Sequence, residues 1–185
     1  MAGIYDDQNE IKKSEEYFLK SLSIKEKLYG KKHLKLVDSL NYLGSFYLNR
    51  NKLNLAKKYH QRALSIIKAK KNIPTEQEAR TYSYLGYAYE RLGEYEEAEN
   101  CYKQQYSIIK NIFGEDHPKM YYVLLNMGSL SLKQANYRNA IIHYVKVKNS
   151  IEKLHGKKSI KLVFPLKNLA NAHERLAEYL SLIHI

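Results

Sequence analysis

The stretch Leu85-Gly86-Tyr87-Ala88-Tyr89-Glu90-Arg91-Leu92-Gly93-Glu94-Tyr95-Glu96-Glu97-Ala98 decides the fold. Small residues stand at Gly86 and Ala98, and Gly93 lies between them. Small side chains let two helices approach closely, and a glycine between two helical segments permits a tight turn. The stretch therefore predicts two antiparallel helices, a first and a second, that pack through small contact points.

The same pattern recurs every 42 residues, and positions that differ by this spacing are called a column below. The Gly86 column holds Ala2, Gly44, Gly128 and Ala170; the Ala98 column holds Ser14, Ala56, Ala140 and Leu182; the Tyr95 column holds Ile11, Leu53, Tyr137 and Tyr179. Three columns with one period indicate an array of repeats. The predicted units are a partial repeat at 1–34, repeats at 35–76, 77–118 and 119–160, and a truncated repeat at 161–185.

Each second helix meets a stop signal in the column of Gly30, Asn72, Gly114 and Gly156. Gly and Asn best tolerate the left-handed conformation at a helix C-terminus, so we expect helices to end within two residues of each, with positive φ there. The next helices begin with capping residues. These are predicted at His33, Thr75 (with Glu78) and His117, and Pro118 suits a first helical turn.

Both ends of the chain interrupt the repeat. Residues 2–5 match the latter half of a first helix, and the pattern continues through Tyr179 and then fails. We therefore expect the chain to be part of a longer protein, with residues 180–185 outside the repeat pattern.

Composition excludes several classes of protein. The chain is 44% hydrophobic and 27% charged with only three prolines, which is typical of a folded helical protein. No 18-residue apolar window predicts a membrane span, and the acidic N-terminal residues do not form a signal peptide. The single Cys101 excludes an internal disulfide and suits a reducing compartment, so a cytoplasmic location is predicted.

The formal net charge of +12 raises the question of nucleic-acid binding. Short lysine clusters occur at Lys31-Lys32, Lys57-Lys58, Lys68–Lys71 and Lys157-Lys158, and they are spread along the chain. Nucleic-acid recognition usually requires a basic stripe on one face. The sequence therefore favours a solvated basic surface over a nucleic-acid footprint.

No residue pattern predicts catalysis. The seven histidines show no metal-binding spacing, and the glycines do not form a phosphate loop. His60 and His143 are predicted at or near the packing face of second helices, and Cys101 is predicted as a small core residue. We expect no enzyme activity, no cofactor and no metal site.

Leu85, Gly86, Tyr89, Gly93, Tyr95 and Ala98 resemble the signature of a tetratricopeptide repeat. The spacing of 42 and the linker Gly114-Glu115-Asp116-His117-Pro118 resemble the subclass found in kinesin light chains. The resemblance implies an all-α fold, a right-handed superhelical α-solenoid of antiparallel helix pairs. It also implies a non-catalytic protein–protein interaction module, a scaffold or adaptor, whose first helices line a concave groove.

Transferred by register, the resemblance predicts a peptide-binding groove. Its residues are Asn41, Tyr42, Arg80, Tyr84, Tyr87, Arg91, Tyr122, Asn126, Lys133, Lys167, Asn168, Asn171 and Arg175. Amides pair with an extended backbone and aromatic rings cover side chains, so the expected partner is a peptide with acidic and aromatic residues. The main alternative is an RNA-binding helical-repeat protein. Some domains of this repeat family bind the acidic C-termini of chaperones through Lys, Asn and Arg side chains of three consecutive first helices. Such a clamp is disfavoured here, because neither alignment of those positions with this sequence places Lys or Arg where the clamp requires them.

Overall fold

The computed structural model describes the backbone of residues 2–70 and 75–183 and the side chains of residues 10–70 and 75–182. Within these ranges the chain forms eight α-helices and two short 3₁₀ turns, with no β-strand. The α-helices are α1 Ala2–Tyr29, α2 Val37–Asn49, α3 Leu53–Lys68, α4 Glu76–Leu92, α5 Tyr95–Phe113, α6 Lys119–Lys133, α7 Tyr137–His155 and α8 Val163–Ile183. The 3₁₀ turns, Leu34–Leu36 and Ile160–Leu162, lead into α2 and α8. None of the described helices is long and apolar enough to cross a bilayer.

The chain divides into two compact units, Met1–Gly93 and Glu94–Ile185. In the first unit α2 packs on α3, and α3 packs on α4. In the second unit α5, α6, α7 and α8 pack on one another in chain order. Sequential packing of neighbouring helices is the arrangement that a repeat array requires.

The small columns lie at helix contacts, as predicted. Gly44, Gly86 and Gly128 are buried, and so are the alanines of the other column, Ala56, Ala98 and Ala140. A methyl group added to Gly44 would lie 2.5 Å from the ring of His60, and one added to Gly128 would lie 2.5 Å from the ring of Tyr144. These glycines therefore let a first helix rest directly on an aromatic ring of the second.

The predicted helix stops are confirmed at three positions. α1, α5 and α7 each end one residue before a glycine with positive φ: 83° at Gly30, 86° at Gly114 and 79° at Gly156. At Gly114 and Gly156, ψ is 168° and 163°, which lies outside the left-handed helical region that asparagine tolerates. These two positions therefore require glycine, although the sequence pattern suggested that asparagine would also be tolerated there.

The fourth stop was predicted wrongly. α3 ends at Lys68, four residues before Asn72, and Asn72 itself lies outside the described residues. The amide of Lys70 donates to the carbonyl of Ile67 at 3.1 Å, three residues back. This tighter bond closes the last turn of the helix early.

The two terminal helices run unbroken through positions where the repeat pattern implies a turn. Between first and second helices the chain turns at Asn51, Gly93 and Ala135, which share one column and have φ of 58°, 79° and 57°. A left-handed alanine costs about 1–2 kcal/mol, and the packing of α6 on α7 offsets that cost at Ala135. At Ala177, in the same column, α8 continues to Ile183, because each further helical residue adds a hydrogen bond without a left-handed residue. α1 likewise runs unbroken from Ala2, so residues 2–5 are not a separate first helix.

Side-chain caps hold the helix starts as predicted. His33 Nδ1 accepts a hydrogen bond from the amide of Lys35, and His117 Nδ1 accepts one from the amide of Lys119, both at 3.2 Å. Thr75 Oγ1 accepts a hydrogen bond from the amide of Glu78 at 3.1 Å. The column of His33, Thr75 and His117 therefore accepts hydrogen bonds from backbone amides that a helix start leaves without a partner.

Candidate binding groove

A groove of 530 Å³ runs between α6 and α8 in the second unit. Both helices occupy first-helix positions of the repeat, so side chains in the same columns face each other across it. Five of the predicted residues line this polar groove: Asn126 and Lys133 from α6, and Asn168, Asn171 and Arg175 from α8. The structure therefore brings together side chains that lie up to 49 residues apart in sequence.

An apolar pocket of 520 Å³ adjoins the polar groove. Its lining includes Tyr122, which was predicted, together with Phe164 and Pro165. Leu125, Asn126 and Phe164 line both spaces. A ligand lying along the surface would therefore meet amides and cations at one end and rings at the other.

α7 forms the floor beneath both spaces. Tyr137 and Tyr144 lie under the polar groove and Ile151 lies under the apolar pocket, at intervals of seven residues. Tyr144 is 1% exposed and its ring rests on Gly128. The close approach of α6 to α7 at Gly128 thus sets the depth of the floor.

The charges of the polar groove are modest and accessible. Arg175 is largely exposed, and its guanidinium lies 3.7 Å from the carboxylate of Glu178. Lys133 is exposed at the C-terminal end of α6. Lys167, also predicted, is exposed on α8 but does not line the groove.

The first unit presents the same columns with more aromatic character. Tyr42 and Tyr87 are 61% and 41% exposed, and Arg80 is exposed. Arg91 donates a hydrogen bond to Asn51 Oδ1 at 2.8 Å, and its guanidinium lies 5.9 Å from the centre of the Tyr87 ring. Arg91 therefore joins the C-terminal end of α4 to the turn between α2 and α3.

Asn41 does not lie on an open surface, and its predicted place in the groove needs correction. It is 4% exposed, and its amide donates to Thr81 Oγ1 at 2.8 Å. The Thr81 hydroxyl donates in turn to the carbonyl of Gln77, so it accepts from Asn41. Asn41 Oδ1 is thereby directed at His60 Nδ1, 3.0 Å away, which must carry the imidazole proton.

This buried contact joins three helices of the first unit. His60 on α3 is fully buried, and the half-buried ring of Tyr84 on α4, another predicted groove residue, stacks on it at 5.3 Å. Among the described residues His60 Nε2 has no hydrogen-bond partner, and burial lowers the pKa of His60 to about 4. The imidazole is therefore neutral at pH 7 and serves packing rather than proton transfer.

No three His, Cys, Asp or Glu residues with described side chains lie close enough to hold a metal ion. Cys101 is buried, 6% exposed, in agreement with its predicted core position. His143 is half-buried, and burial together with the charge of Lys146 lowers its pKa.

The floor was missing from the sequence-based prediction. Tyr137 and Ile151 belong to a second helix, and the prediction considered first helices alone. The signal was present, because Tyr137, Tyr144 and Ile151 follow one another at heptad spacing on one side of a helix.

Comparison with protein families gives one result that covers most of the chain. The model of the tetratricopeptide repeat matches residues 1–69 and 77–144. No curated protein matches the sequence.

Comparison with solved structures gives matches of similar architecture. One is BtubC (BKLC) from P. vanneervenii, with a TM-score of 0.81 and 17% identity over 96% of this chain and 71% of that one. Another is a putative kinesin light chain from Podosopora anserina with nearly identical TPR-like repeats, with a TM-score of 0.79 and 16% identity over 96% and 84% of the two chains. A variant of that protein with one residue substituted matches with a TM-score of 0.80. At these identities the likeness establishes the fold and not a shared partner.

Proposed function

This chain belongs to the tetratricopeptide repeat family, and we propose that its polar groove and apolar pocket together bind an extended peptide of a protein partner. Repeats of this family imply a protein-interaction scaffold in general, and the fold is typically non-catalytic. The observation that carries the proposal is the continuity of the two spaces through Leu125, Asn126 and Phe164. Such a surface offers both backbone pairing and side-chain burial to one ligand.

Each part of the surface has a counterpart in an extended peptide. The amides of Asn126, Asn168 and Asn171 provide donors and acceptors of the kind that an extended backbone pairs with. The ring surfaces of Tyr122 and Phe164 suit an aromatic or aliphatic side chain. Lys133 and Arg175 favour an acidic residue farther along the peptide.

The first unit offers a second surface of the same class. Its exposed residues Tyr42, Arg80, Tyr87 and Arg91 stand in the columns that line the groove of the second unit, and Tyr84 is partly accessible beside them. We include this surface in the proposal as a further contact for a peptide partner. The wider role would be that of a cytoplasmic scaffold or adaptor.

The test begins with peptides selected from a random display library against the wild-type protein. A selected peptide should bind at about micromolar strength, roughly −8 kcal/mol. Tyr122→Ala combined with Arg175→Ala should weaken binding at least about tenfold, because anchors of this kind carry most of the energy of an interface. The control combines Tyr17→Ala with Arg138→Ala, since both residues are exposed and lie outside the groove.

Two outcomes would contradict the assignment to the second unit. Equal binding by the test and control variants would remove the groove from the interface. Loss of binding only in Tyr87→Ala with Arg91→Ala would move the interface to the first unit. A salt titration addresses the RNA alternative, since phosphate contacts make the logarithm of the binding constant fall steeply with the logarithm of salt concentration.

A further inference from the structure

A separate cavity, of 450 Å³, lies in the first unit away from the predicted groove residues. It is formed where the end of α1 and the linker after it meet α3. Its lining is Glu26, Lys31, Lys32, Arg62, Ser65 and Ile66, and it is called the basic cleft below. Three of its four charged side chains are cationic.

The cations of the basic cleft are positioned by the helix end. Gly30 takes φ of 83° and turns the chain so that Lys31 and Lys32 follow directly. Arg62 Nη2 donates to the carbonyl of Lys31 at 3.1 Å and lies 2.5 Å from Glu26 Oε1. The Nζ atoms of Lys31 and Lys32 are exposed and have no hydrogen-bond or ion-pair partner among the described residues. The guanidinium of Arg62 is thus held in place, and the ammonium groups of Lys31 and Lys32 beside it are available to bind an anionic group.

The second unit contains the equivalent positions with the charge reversed at three of the four. Two repeats later, Lys110 stands in the column of Glu26, Glu115 and Asp116 in the columns of Lys31 and Lys32, and Lys146 in the column of Arg62. There the linker carboxylates pair with the cations around them, Glu115 with Lys110 at 2.5 Å and Asp116 with Lys153 at 2.7 Å. The hydrogen bonds of Lys110 and Tyr106 and the charge of Lys110 lower the pKa of Glu115, and the charge of Lys146 lowers it further. The linker of the second unit supplies its own acids, whereas that of the first unit adds two cations.

We propose that the basic cleft binds an acidic polypeptide segment whose carboxylates lie beside Lys31, Lys32 and Arg62, as Glu115 and Asp116 lie beside lysines in the second unit. The inference goes beyond the proposed groove function, because it uses a different surface and a different kind of ligand. Charge complementarity alone selects the partner, so binding should depend strongly on ionic strength.

The surroundings of the basic cleft favour a polypeptide over RNA. Single-stranded nucleic acids gain much of their affinity by stacking bases on exposed aromatic rings. The nearest aromatic ring in sequence, Tyr29, already stacks on His33 at 5.3 Å and lies 4.3 Å from the Nζ of Lys35.

The experiment titrates a fluorescent hexaglutamate peptide against the whole chain at low salt. We expect weak binding, with a dissociation constant below about 1 mM. The charge reversal Lys31→Glu with Lys32→Glu should weaken it about tenfold, because it replaces two attractive ion pairs with repulsion. Lys157→Glu with Lys158→Glu makes the same charge change after Gly156, at the equivalent linker, and should change the affinity less than about twofold. Lys31→Gln with Lys32→Gln should give an intermediate loss, and circular dichroism checks that each variant is folded.

Four results would overturn the proposal. Equal weakening by the two charge reversals would mean that net charge alone attracts the peptide. Absence of binding at about 1 mM, or binding that neither reversal weakens, would exclude the cleft. Tighter binding of a hexauridylate, lost in the Lys31→Glu, Lys32→Glu variant, would assign the cleft to RNA.

Discussion

At the scale of single residues, the contact among Asn41, His60 and Thr81 controls how the first unit responds to acid. Protonation of His60 would place an N–H at Nε2, where the part of the chain that the structure describes offers no acceptor. The folded state therefore binds this proton only near pH 4, whereas an unfolded histidine binds it near pH 6.5. The contribution of the neutral His60 to the free energy of unfolding is therefore complete above pH 6.5 and is lost progressively as pH falls toward 4.

We predict that His60 makes the free energy of unfolding fall by about 3 kcal/mol between pH 7 and pH 4. Urea unfolding at several pH values measures this fall. In His60→Gln, whose amide stays neutral, the part of the pH dependence that arises at this site should disappear. If the wild type and the variant lose stability in parallel, protonation of His60 is not the cause.

The sequence indicated one partner of this contact and not the other. His60 shares a column with Tyr102 and Tyr144, and all three are buried, so periodicity was sufficient to place it. Asn41 shares a column with Ser83, Leu125 and Lys167, which have no common character. Asn41 is buried because it contacts His60 and Thr81 in the folded structure, and no pattern along the sequence predicts that contact.

At the scale of helices, the contact of Gly128 with Tyr144 sets the spacing between α6 and α7. Gly128→Ala should destabilise the protein by about 1–3 kcal/mol, because the new methyl group would lie 2.5 Å from the ring. Thermal unfolding measures the loss. The double variant Gly128→Ala with Tyr144→Leu should show less than the sum of the two single effects, and strict additivity would argue against a direct clash.

Two glycines after helices should respond differently to asparagine. Gly93 has φ of 79° and ψ of 8°, a conformation that asparagine tolerates, and Asn51 occupies the same column with φ of 58°. Gly114 has ψ of 168°, in a region that is almost restricted to glycine. Gly93→Asn should cost less than about 1 kcal/mol, and Gly114→Asn about 1–3 kcal/mol. Chemical denaturation of both variants measures the two costs. Equal costs would show that the difference in backbone conformation does not control the tolerance for asparagine.

Helix boundaries were predictable where a glycine fixes them and less so elsewhere. The stops before Gly30, Gly114 and Gly156 follow from local chemistry. The unbroken course of α8 through Ala177 does not, because the same column turns at Ala135. The difference lies in whether a packed second helix offsets the cost of a left-handed alanine, which is a tertiary effect.

At the scale of the whole molecule, excess positive charge opposes folding. The chain carries 31 Lys and Arg against 19 Asp and Glu, a formal net charge of +12, and compaction brings these like charges closer together. Added salt should screen this repulsion. We predict that Tm rises by a few degrees between about 10 and 200 mM NaCl, roughly the effect of 1 kcal/mol. A fall in Tm would show that the surface ion pairs outweigh the repulsion.

The candidate site was predictable at the same scale only in part. The period of 42 placed Asn126, Lys133, Asn168, Asn171 and Arg175 in columns that converge on one groove. It did not reveal that Lys167 lies outside the groove, or that a separate apolar pocket adjoins it. Those features depend on how deeply each side chain lies between two helices, and a repeat pattern does not predict that depth.

The position of α7 beneath both spaces gives it a role as a reporter. A ligand on α6 and α8 would rest on Tyr137, Tyr144 and Ile151, so binding should suppress local opening of the helix that carries them. We predict slower amide hydrogen exchange in α7 when the selected peptide is bound. α3 serves as the internal reference, because its exchange should stay unchanged if the second unit alone is occupied. Occupancy could then be followed by mass spectrometry at a helix whose backbone the peptide never touches.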